Sequence, residues 1–306
     1  MREAFSTALI QLAQQDPRVI LLTGDHGYAL FDEFRRVCPN QYINAGIAEQ
    51  NMVGMAAGLA RTGFRPVVYG LSAFIPVRVL EQIKLDVAHD RLPVIFIGDG
   101  AGFVYSHLGT SHQSTEDIAC ARAIPNLQIY SPADAFEMTM CMQAAYQAHA
   151  SAYLRMGKSD RGLVHAAVPE ASSGELLQLK QGKPGALSFI ATGSMVRTAM
   201  DIASASYADA SVWSAPFIKP AEIAQVAAIC RNGGPLVTME EHSIHGGLGS
   251  MIAEIASEHC PVRILRIGVK DRFSEHCGTY DYLLKEHGLD RTSIEKQLAE
   301  FLSRAA

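Results

Sequence analysis

Asn44-Ala-Gly-Ile-Ala-Glu49-Gln-Asn-Met-Val-Gly54-Met-Ala-Ala-Gly58-Leu-Ala60 is the densest stretch of this 306-residue chain. A strand is predicted to end near Ile43 and a helix to run from Glu49 to Arg61. Gly54 and Gly58 lie four apart on one helical face with Ala57 beside Gly54, and small residues at that spacing let another backbone come close. Glu49 is then a carboxylate beside a mainly apolar, tightly packed surface, where burial would raise its pKa and keep it partly protonated. Spacing alone leaves open a Glu49 that only caps the helix and meets solvent.

Outward from this stretch, short apolar runs alternate with helical patterns. Val19–Thr23, Pro66–Gly70, Pro93–Gly98, Leu127–Ser131 and Ala152–Arg155 read as buried strands. MREAFSTALIQLAQQ at the N-terminus, Pro76–His89, Thr115–Ala123 and Ala133–His149 read as helices. This alternation implies βαβ units and a mostly parallel sheet. From Gly157 to Gly185 the pattern breaks into Gly, Pro, Ser and Lys, with a small strand predicted near Leu163–Val168. A second series follows. Strands are predicted at Leu187–Thr192, Ala210–Trp213, Leu236–Glu240 and Val262–Ile267. Helices are predicted at Met195–Ser206, Pro220–Arg231, Leu248–Glu258 and Thr292–Ser303, the last opened by a Thr292/Glu295 capping box. The fold class is therefore α/β, with parallel-sheet domains over 1–165 and 185–306 and a linker over 166–184.

Composition excludes several function classes. A net charge of −5 lacks the basic footprint of a nucleic-acid binder. The Ala/Gly/Val-rich run from Asn51 to Leu80 is cut by Arg61, Arg65 and Arg78, so no bilayer span is expected. The N-terminal helix lacks a continuous apolar core followed by a cleavage site, so secretion is not expected. The six cysteines form no CxxC pair, which argues against a zinc ribbon or a disulfide framework and fits the reduced cytoplasm.

Two further clusters carry polar chemistry. Gly98-Asp-Gly-Ala-Gly-Phe-Val-Tyr-Ser-His107-Leu-Gly-Thr-Ser-His112-Gln follows a core strand, so it leaves the carboxyl edge of a parallel sheet, where ligands bind in open α/β folds. His107 and His112 are its candidate contacts; a surface loop whose glycines merely turn is the alternative. Glu240-Glu-His-Ser-Ile-His-Gly-Gly-Leu-Gly-Ser joins a strand to a helix. His242 and His245 do not have the i, i+4 spacing of a zinc helix, so a structural or interface role is favoured there.

In order along the chain, Gly46-Ile-Ala-Glu-Gln-Asn-Met-Val-Gly-Met-Ala-Ala-Gly-Leu-Ala, Ser111-His-Gln with Glu116, Ser131-Pro-Ala-Asp and Glu240-Glu-His-Ser-Ile-His-Gly-Gly-Leu-Gly-Ser resemble the carboxyl half of transketolases. The resemblance implies a pyrimidine-binding domain followed by the transketolase C-terminal domain. The related 1-deoxyxylulose-5-phosphate synthases share this layout. It also implies thiamine diphosphate as cofactor, held between two domain types, only one of which is in this sequence. The other carries the Mg²⁺ ligands, so the resemblance implies one subunit of a split enzyme. Its partner would be an N-terminal diphosphate-binding subunit, in a two-plus-two heterotetramer whose homodimer contact uses the Gly54–Gly58 face. Gly98-Asp-Gly followed by Asn126 mimics the family's metal motif, but in the resemblance these residues align with the loop leading to His112 and not with metal ligands.

By resemblance, Glu49 matches the catalytic glutamate that hydrogen-bonds the pyrimidine ring and so promotes loss of the thiazolium C2 proton. Ile47 matches an apolar wedge between the cofactor rings, Phe74 an aromatic stacked on the pyrimidine, and Asp25 a polar contact near the cofactor. His112 matches a contact to a sugar hydroxyl or carbonyl. Arg2 and Arg155 match positions that bind a substrate phosphate. The sequence also departs from the family. Leu108 stands where a sugar-contacting Asp is usual, with His107 alongside. A serine after Asp25 is replaced around Tyr28-Ala29, and later aromatics become Val77 and Leu80. Ketol transfer with altered sugar choice is the reading these residues favour. A synthase-like subunit, a 2-oxo acid dehydrogenase β-like subunit and a non-catalytic scaffold half are the alternatives.

Overall fold

The computed structural model describes residues 1–27, 29–158 and 161–304. Tyr28, one of the positions where the family's serine is replaced, lies outside them. Six parallel strands build the first sheet: β1 (Val19–Thr23), β2 (Tyr42–Asn44), β3 (Arg65–Leu71), β4 (Ile95–Asp99), β5 (Leu127–Tyr130) and β6 (Ser151–Met156). Every residue of β1, β4 and β6 is buried, as expected of strands covered on both faces, and this is why they read as near-continuous apolar runs. Helices α1 (Arg2–Gln15), α2 (Asp32–Val37), α3 (Glu49–Arg61), α5 (Asp117–Arg122) and α6 (Ala135–Gln147) cover the faces. Between α3 and α5, the helix expected over 76–89 is a composite: a 3₁₀ turn at Val77–Val79, one α turn, α4 (Leu80–Gln82), and a π-helical stretch at Ile83–Ala88.

The second sheet contains β7 (Leu177–Lys180), β8 (Ser188–Ala191), β9 (Ser211–Ser214), β11 (Leu236–Ser243) and β12 (Ile264–Val269), in the order β12-β11-β8-β9-β7. Only β7 runs antiparallel in it. Helices α7 (Met195–Ser206), α8 (Ile223–Arg231), α9 (Leu248–His259), α10 (Tyr280–Glu286) and α11 (Arg291–Ser303) flank it. The short strand β10 (Phe217–Lys219) leaves this series and adds antiparallel to β5, giving the first sheet the order β10-β5-β6-β4-β3-β1-β2. One apolar core includes Val68 and Phe96 of the first sheet with Ile190 and Leu248 of the second unit. The two domains are interlocked by a strand and a shared core.

Three local expectations are corrected. Residues 163–168 form no strand; the Val164 and His165 N–H groups instead donate to Asp134, which also caps α6. A carboxylate outside the segment has taken the bonds a ladder would use, and the strand forms later, as β7. The Thr292/Glu295 capping box is absent. Asp290 caps α11, accepting from the Ser293 N–H, while Glu295 pairs with Arg291 and Ser206. The helix expected from Pro220 begins at Ile223, capped by Glu222. Among the described residues, no helix is long and apolar enough to cross a membrane. All six cysteines are unpaired.

Candidate active site

The segments after β1, β2, β3 and β4 all leave the same edge of the first sheet because those strands are parallel. After β2, Gly46 takes a left-handed conformation (φ 74°), its N–H held by Asn44 Oδ1 at 2.9 Å. That turn ejects Ile47, whose side chain is 77% exposed, and starts α3 at Glu49. The Glu49 side chain is only 6% exposed, and its Oε2 accepts from Arg78 Nη1 at 3.2 Å. The reading of Glu49 as a solvent-facing cap is thereby excluded. The expected apolar surround is corrected too: the carboxylate has a cationic partner.

Arg78 links Glu49 to the aromatic part of the edge. Its guanidinium carbon stands 3.9 Å from the centroid of the Phe74 ring, a cation–π contact. Phe74 meets the His112 ring edge to face at 5.5 Å, and His112 Nδ1 pairs with Ser111 Oγ at 3.0 Å. Glu49, Arg78, Phe74 and His112 therefore form one continuous row, with Ile47 projecting beside its buried end. Phe74 and His112 are half-buried and so keep surface for a ligand. An aromatic face, a projecting aliphatic side chain and a buried carboxylate are the groups a flat, nitrogen-containing ring would use. This donor set fits an aminopyrimidine.

A second polar group sits at the ends of β3 and β4. Asp99 is buried, and its Oδ2 accepts from Tyr69 Oη at 2.8 Å and Tyr105 Oη at 3.1 Å. Arg2 grips the same carboxylate through Nε at 3.1 Å and Nη2 at 2.6 Å, and Nη2 also reaches Tyr105 Oη at 2.7 Å. Arg2, half-exposed, is held above its ordinary pKa: burial alone would lower it, but the Asp99 hydrogen bonds and charge outweigh that. Burial and the neighbouring Asp99 push the Tyr105 hydroxyl up to about 12. His26 lies against this group. Its Nε2 is buried without a hydrogen-bond partner, and burial lowers its pKa against the opposing charges of Glu49, Asp99 and Asp25.

The other sequence candidates are placed differently. Asp25 is exposed on the segment after β1, and His107 is exposed on the 3₁₀ turn Ser106–Leu108 beside the 55%-exposed Leu108. Arg155 is not presented to a ligand at all. Its guanidinium is buried, donates from Nε to Asp117, and donates from Nη2 to the carbonyls of Ser114 and Glu241. The phosphate role expected of it is corrected to that of a pin between the domains, since those buried bonds would have to be surrendered. Asp99 and Asn126 do not share a site either. Strand register sets them on opposite edges of the sheet, about six residues or roughly 20 Å apart, and the Asn126 amide donates to the Ala88 carbonyl.

The Glu240–His242 cluster has the structural role its spacing favoured. Glu240 accepts from the Leu248 and Gly249 N–H groups at the start of α9, and burial pushes it up to about 7 despite those bonds. Glu241 accepts from the Phe103 N–H at 2.7 Å and from the hydroxyls of Ser194 and Tyr280, tying the loop after β4 to the second domain. His242 pairs Nδ1 with the Ser243 carbonyl and accepts at Nε2 from the Ala119 N–H; burial lowers it to about 4, so it is the neutral imidazole.

Sequence reading missed Arg78 and the Asp99 group. Arg78 counted only as a charge interrupting an apolar run. Its signal was the reverse: a single cation in the apolar loop after a core strand, four residues beyond Phe74. Asp99 was weighed only as a metal mimic, and nothing local marks Tyr69 and Tyr105 as its partners.

Comparison with known proteins sets this geometry in a family. Residues 1–162 match the transketolase pyrimidine-binding domain, and residues 174–294 match the transketolase C-terminal domain. The chain is 31% identical to an apulose-4-phosphate transketolase subunit of Phocaeicola vulgatus, over 99% of this chain and 97% of that one. It is 32% identical to the 6-deoxy-6-sulfo-D-fructose transketolase subunit SqwH of a Clostridium species, over 99% and 95%. It is 35% identical to 1-deoxy-D-xylulose-5-phosphate synthase of Oleidesulfovibrio alaskensis, over 98% of this chain but only 48% of that enzyme. A solved split-gene transketolase, described as an inactive β4 tetramer, superposes with a TM-score of 0.90 at 32% identity, covering 99% and 98% of the two chains. With both domains matched in order and relatives of this identity aligned over nearly their full length, the chain belongs to the transketolase family.

Proposed function

We propose that this chain is the pyrimidine-binding subunit of a split, thiamine diphosphate-dependent transketolase that moves a two-carbon ketol unit between sugars. The row Glu49–Arg78–Phe74–His112 beside the projecting Ile47 is the observation that carries the reading. When bound, thiamine diphosphate supplies the nucleophilic carbon and the electron sink for breaking and forming the carbon–carbon bond. Glu49 holds a proton at the pyrimidine ring nitrogen, and Arg78 fixes the direction of its carboxyl group. Ile47 would pack against the cofactor rings, and Phe74 would stack on the pyrimidine. His112 donates to a sugar hydroxyl or carbonyl from the imidazole nitrogen opposite its Ser111 contact. His107 and Asp25 border the sugar and the cofactor. A 77%-exposed isoleucine beside a buried carboxylate is half of a site, which supports completion by a second chain.

That second chain is a diphosphate-binding subunit carrying the Mg²⁺ ligands, in a two-plus-two heterotetramer with the Gly54–Gly58 face at the homodimer contact. A Cβ built on Gly54 or Gly58 would meet nothing within 4 Å apart from its chain neighbours and the helix's own backbone, so that face is open to a neighbour. Relatives named as subunits, and a similar chain that is inactive as a β4 tetramer, support the need for a partner. The unpaired cysteines suit the cytoplasm.

Mixing the purified chain with its diphosphate-binding partner, thiamine diphosphate and Mg²⁺ tests the reading. Ketol transfer should arise only in the mixture; equal turnover by the chain alone would refute it. The synthase similarity supports a second reading, separable by mass spectrometry of the product: 1-deoxy-D-xylulose 5-phosphate would replace the transketolase assignment.

A further inference from the structure

A cavity of about 240 Å³ opens at the ends of β1, β3 and β4, lined chiefly by Arg2, His26, Tyr69, Leu71, Asp99 and Tyr105. It opens on the sheet edge that carries Glu49 and Phe74. The family resemblance assigns a substrate phosphate to Arg2 and Arg155, but each guanidinium is already paired with a carboxylate of this chain. Arg155 is sealed between the domains on Asp117. Arg2 commits Nε and Nη2 to Asp99, in the two-pronged geometry a phosphate would require.

The charge balance of the wall decides what the cavity suits. Among the described lining residues Arg2 is the only fixed cation and Asp99 the only carboxylate, so these charges balance. A phosphate dianion drawn to Arg2 would meet the buried Asp99 carboxylate already occupying the fork, and like charges at contact distance disfavour one another strongly. A hydroxyl meets the opposite situation. His26 Nε2 is buried and unpartnered, while the Tyr105 hydroxyl is already engaged, donating to Asp99 and accepting from Arg2. A buried polar atom left without a partner is unfavourable, so a ligand that supplies one is favoured.

Resting on the transketolase reading, we propose that this cavity receives an uncharged, hydroxyl-bearing end of the sugar substrate, and that Asp99, by occupying Arg2, discriminates against a terminal phosphate. Asp99 acts through Arg2, as a positioning residue for specificity. The test uses the complex with the partner subunit and two matched donors, D-fructose and D-fructose 6-phosphate. Wild type should show kcat/KM at least tenfold higher for the free sugar. Asp99→Asn, checked for an unchanged melting temperature, should move that ratio at least tenfold toward the phosphate ester, mainly through KM. Preference of wild type for the ester, or a ratio that Asp99→Asn does not move, overturns the proposal.

If the complex turns over neither donor nor any other ketose, the transketolase reading fails separately. The cavity assignment is then decided on the unmodified chain by following the His26 imidazole by NMR. A response to sorbitol with none to millimolar inorganic phosphate supports it. Saturation by phosphate, or silence to both, overturns it.

Discussion

The two sheets of this protein present their carboxyl edges in opposite ways. In the first domain the edge is left open: Ile47 stands in solvent, Phe74 and His112 are only partly buried, and a cavity is lined by Arg2, Asp99 and His26. In the second domain the same edge is closed. Glu241, at the end of β11, is consumed by Phe103, Ser194 and Tyr280, and Glu240 by the start of α9. Both edges carry buried carboxylates, so a buried charge alone does not identify a site. What separates them is exposure: Glu240 and Glu241 of the closed edge are sealed by partners within the chain, and the open edge leaves surface that a ligand or another chain can cover.

The sharpest way to break this contrast is to neutralise one carboxylate of the open edge and one that is sealed in a buried ion pair. Glu49→Gln should lower ketol transfer by the reconstituted complex by ~10²–10⁴-fold, the usual contribution of a general acid–base group, with little change in melting temperature. Asp117→Ala should do the reverse. It leaves the buried Arg155 guanidinium unpaired and should destabilise the chain by about 3–5 kcal/mol in chemical denaturation. A Glu49→Gln protein that unfolds, or an Asp117→Ala protein of native stability, would erase the distinction.

Titration sharpens the contrast within the closed edge. Burial raises Glu240 from 4.5 to about 7, so its contribution to stability is full below pH 4.5 and is lost as pH rises through 7. Burial lowers His242 from 6.5 to about 4, so its contribution is full above pH 6.5 and is lost as pH falls through 4. Between pH 4.5 and 6.5 the folded state holds its proton on Glu240 and the unfolded state holds one on His242, so the two slopes cancel. His242→Gln should expose the Glu240 slope, with stability falling as pH rises by about 1.4 kcal/mol per unit. Glu240→Gln should expose the opposite slope. Denaturation midpoints across this range measure both, and variants with unchanged pH profiles would contradict the linkage. The smallest effect belongs to Arg78→Met. Its ion pair is half-exposed and contributes at most about 1 kcal/mol, so stability should barely change, while the KM for thiamine diphosphate rises several-fold as Glu49 loses its orientation.

How much of this was legible in the sequence follows from the range of each interaction. The strands were legible because parallel strands buried on both faces must be apolar throughout, as in Val19–Thr23 and Ile95–Asp99. Glu49 stood out because Gly46 and the small residues of α3 lie beside it in the chain. Arg78 did not, because its pairing with Glu49 crosses 29 residues and two elements. The misplaced strand at 163–168 failed for the same reason: Asp134, 30 residues earlier, takes the Val164 N–H. Arg155 looked available because it ends a strand at the ligand edge. The carbonyl that helps to bury it belongs to Glu241, 86 residues away in the other domain. The open edge was visible as a motif; the pairing of Arg2 and Arg155 with internal carboxylates required the packed structure.

On the proposed reading, Glu49 on the open edge prepares the cofactor for reaction while Glu240 and Glu241 of the closed edge hold the structure. Deuterium exchange at C2 of thiamine diphosphate bound to the reconstituted complex reads that step without any sugar present. If Glu49 has that role, exchange is at least a hundredfold slower in Glu49→Gln than in wild type, and Glu240→Gln exchanges at the wild-type rate at pH 7. Equal exchange rates in wild type and Glu49→Gln would contradict it.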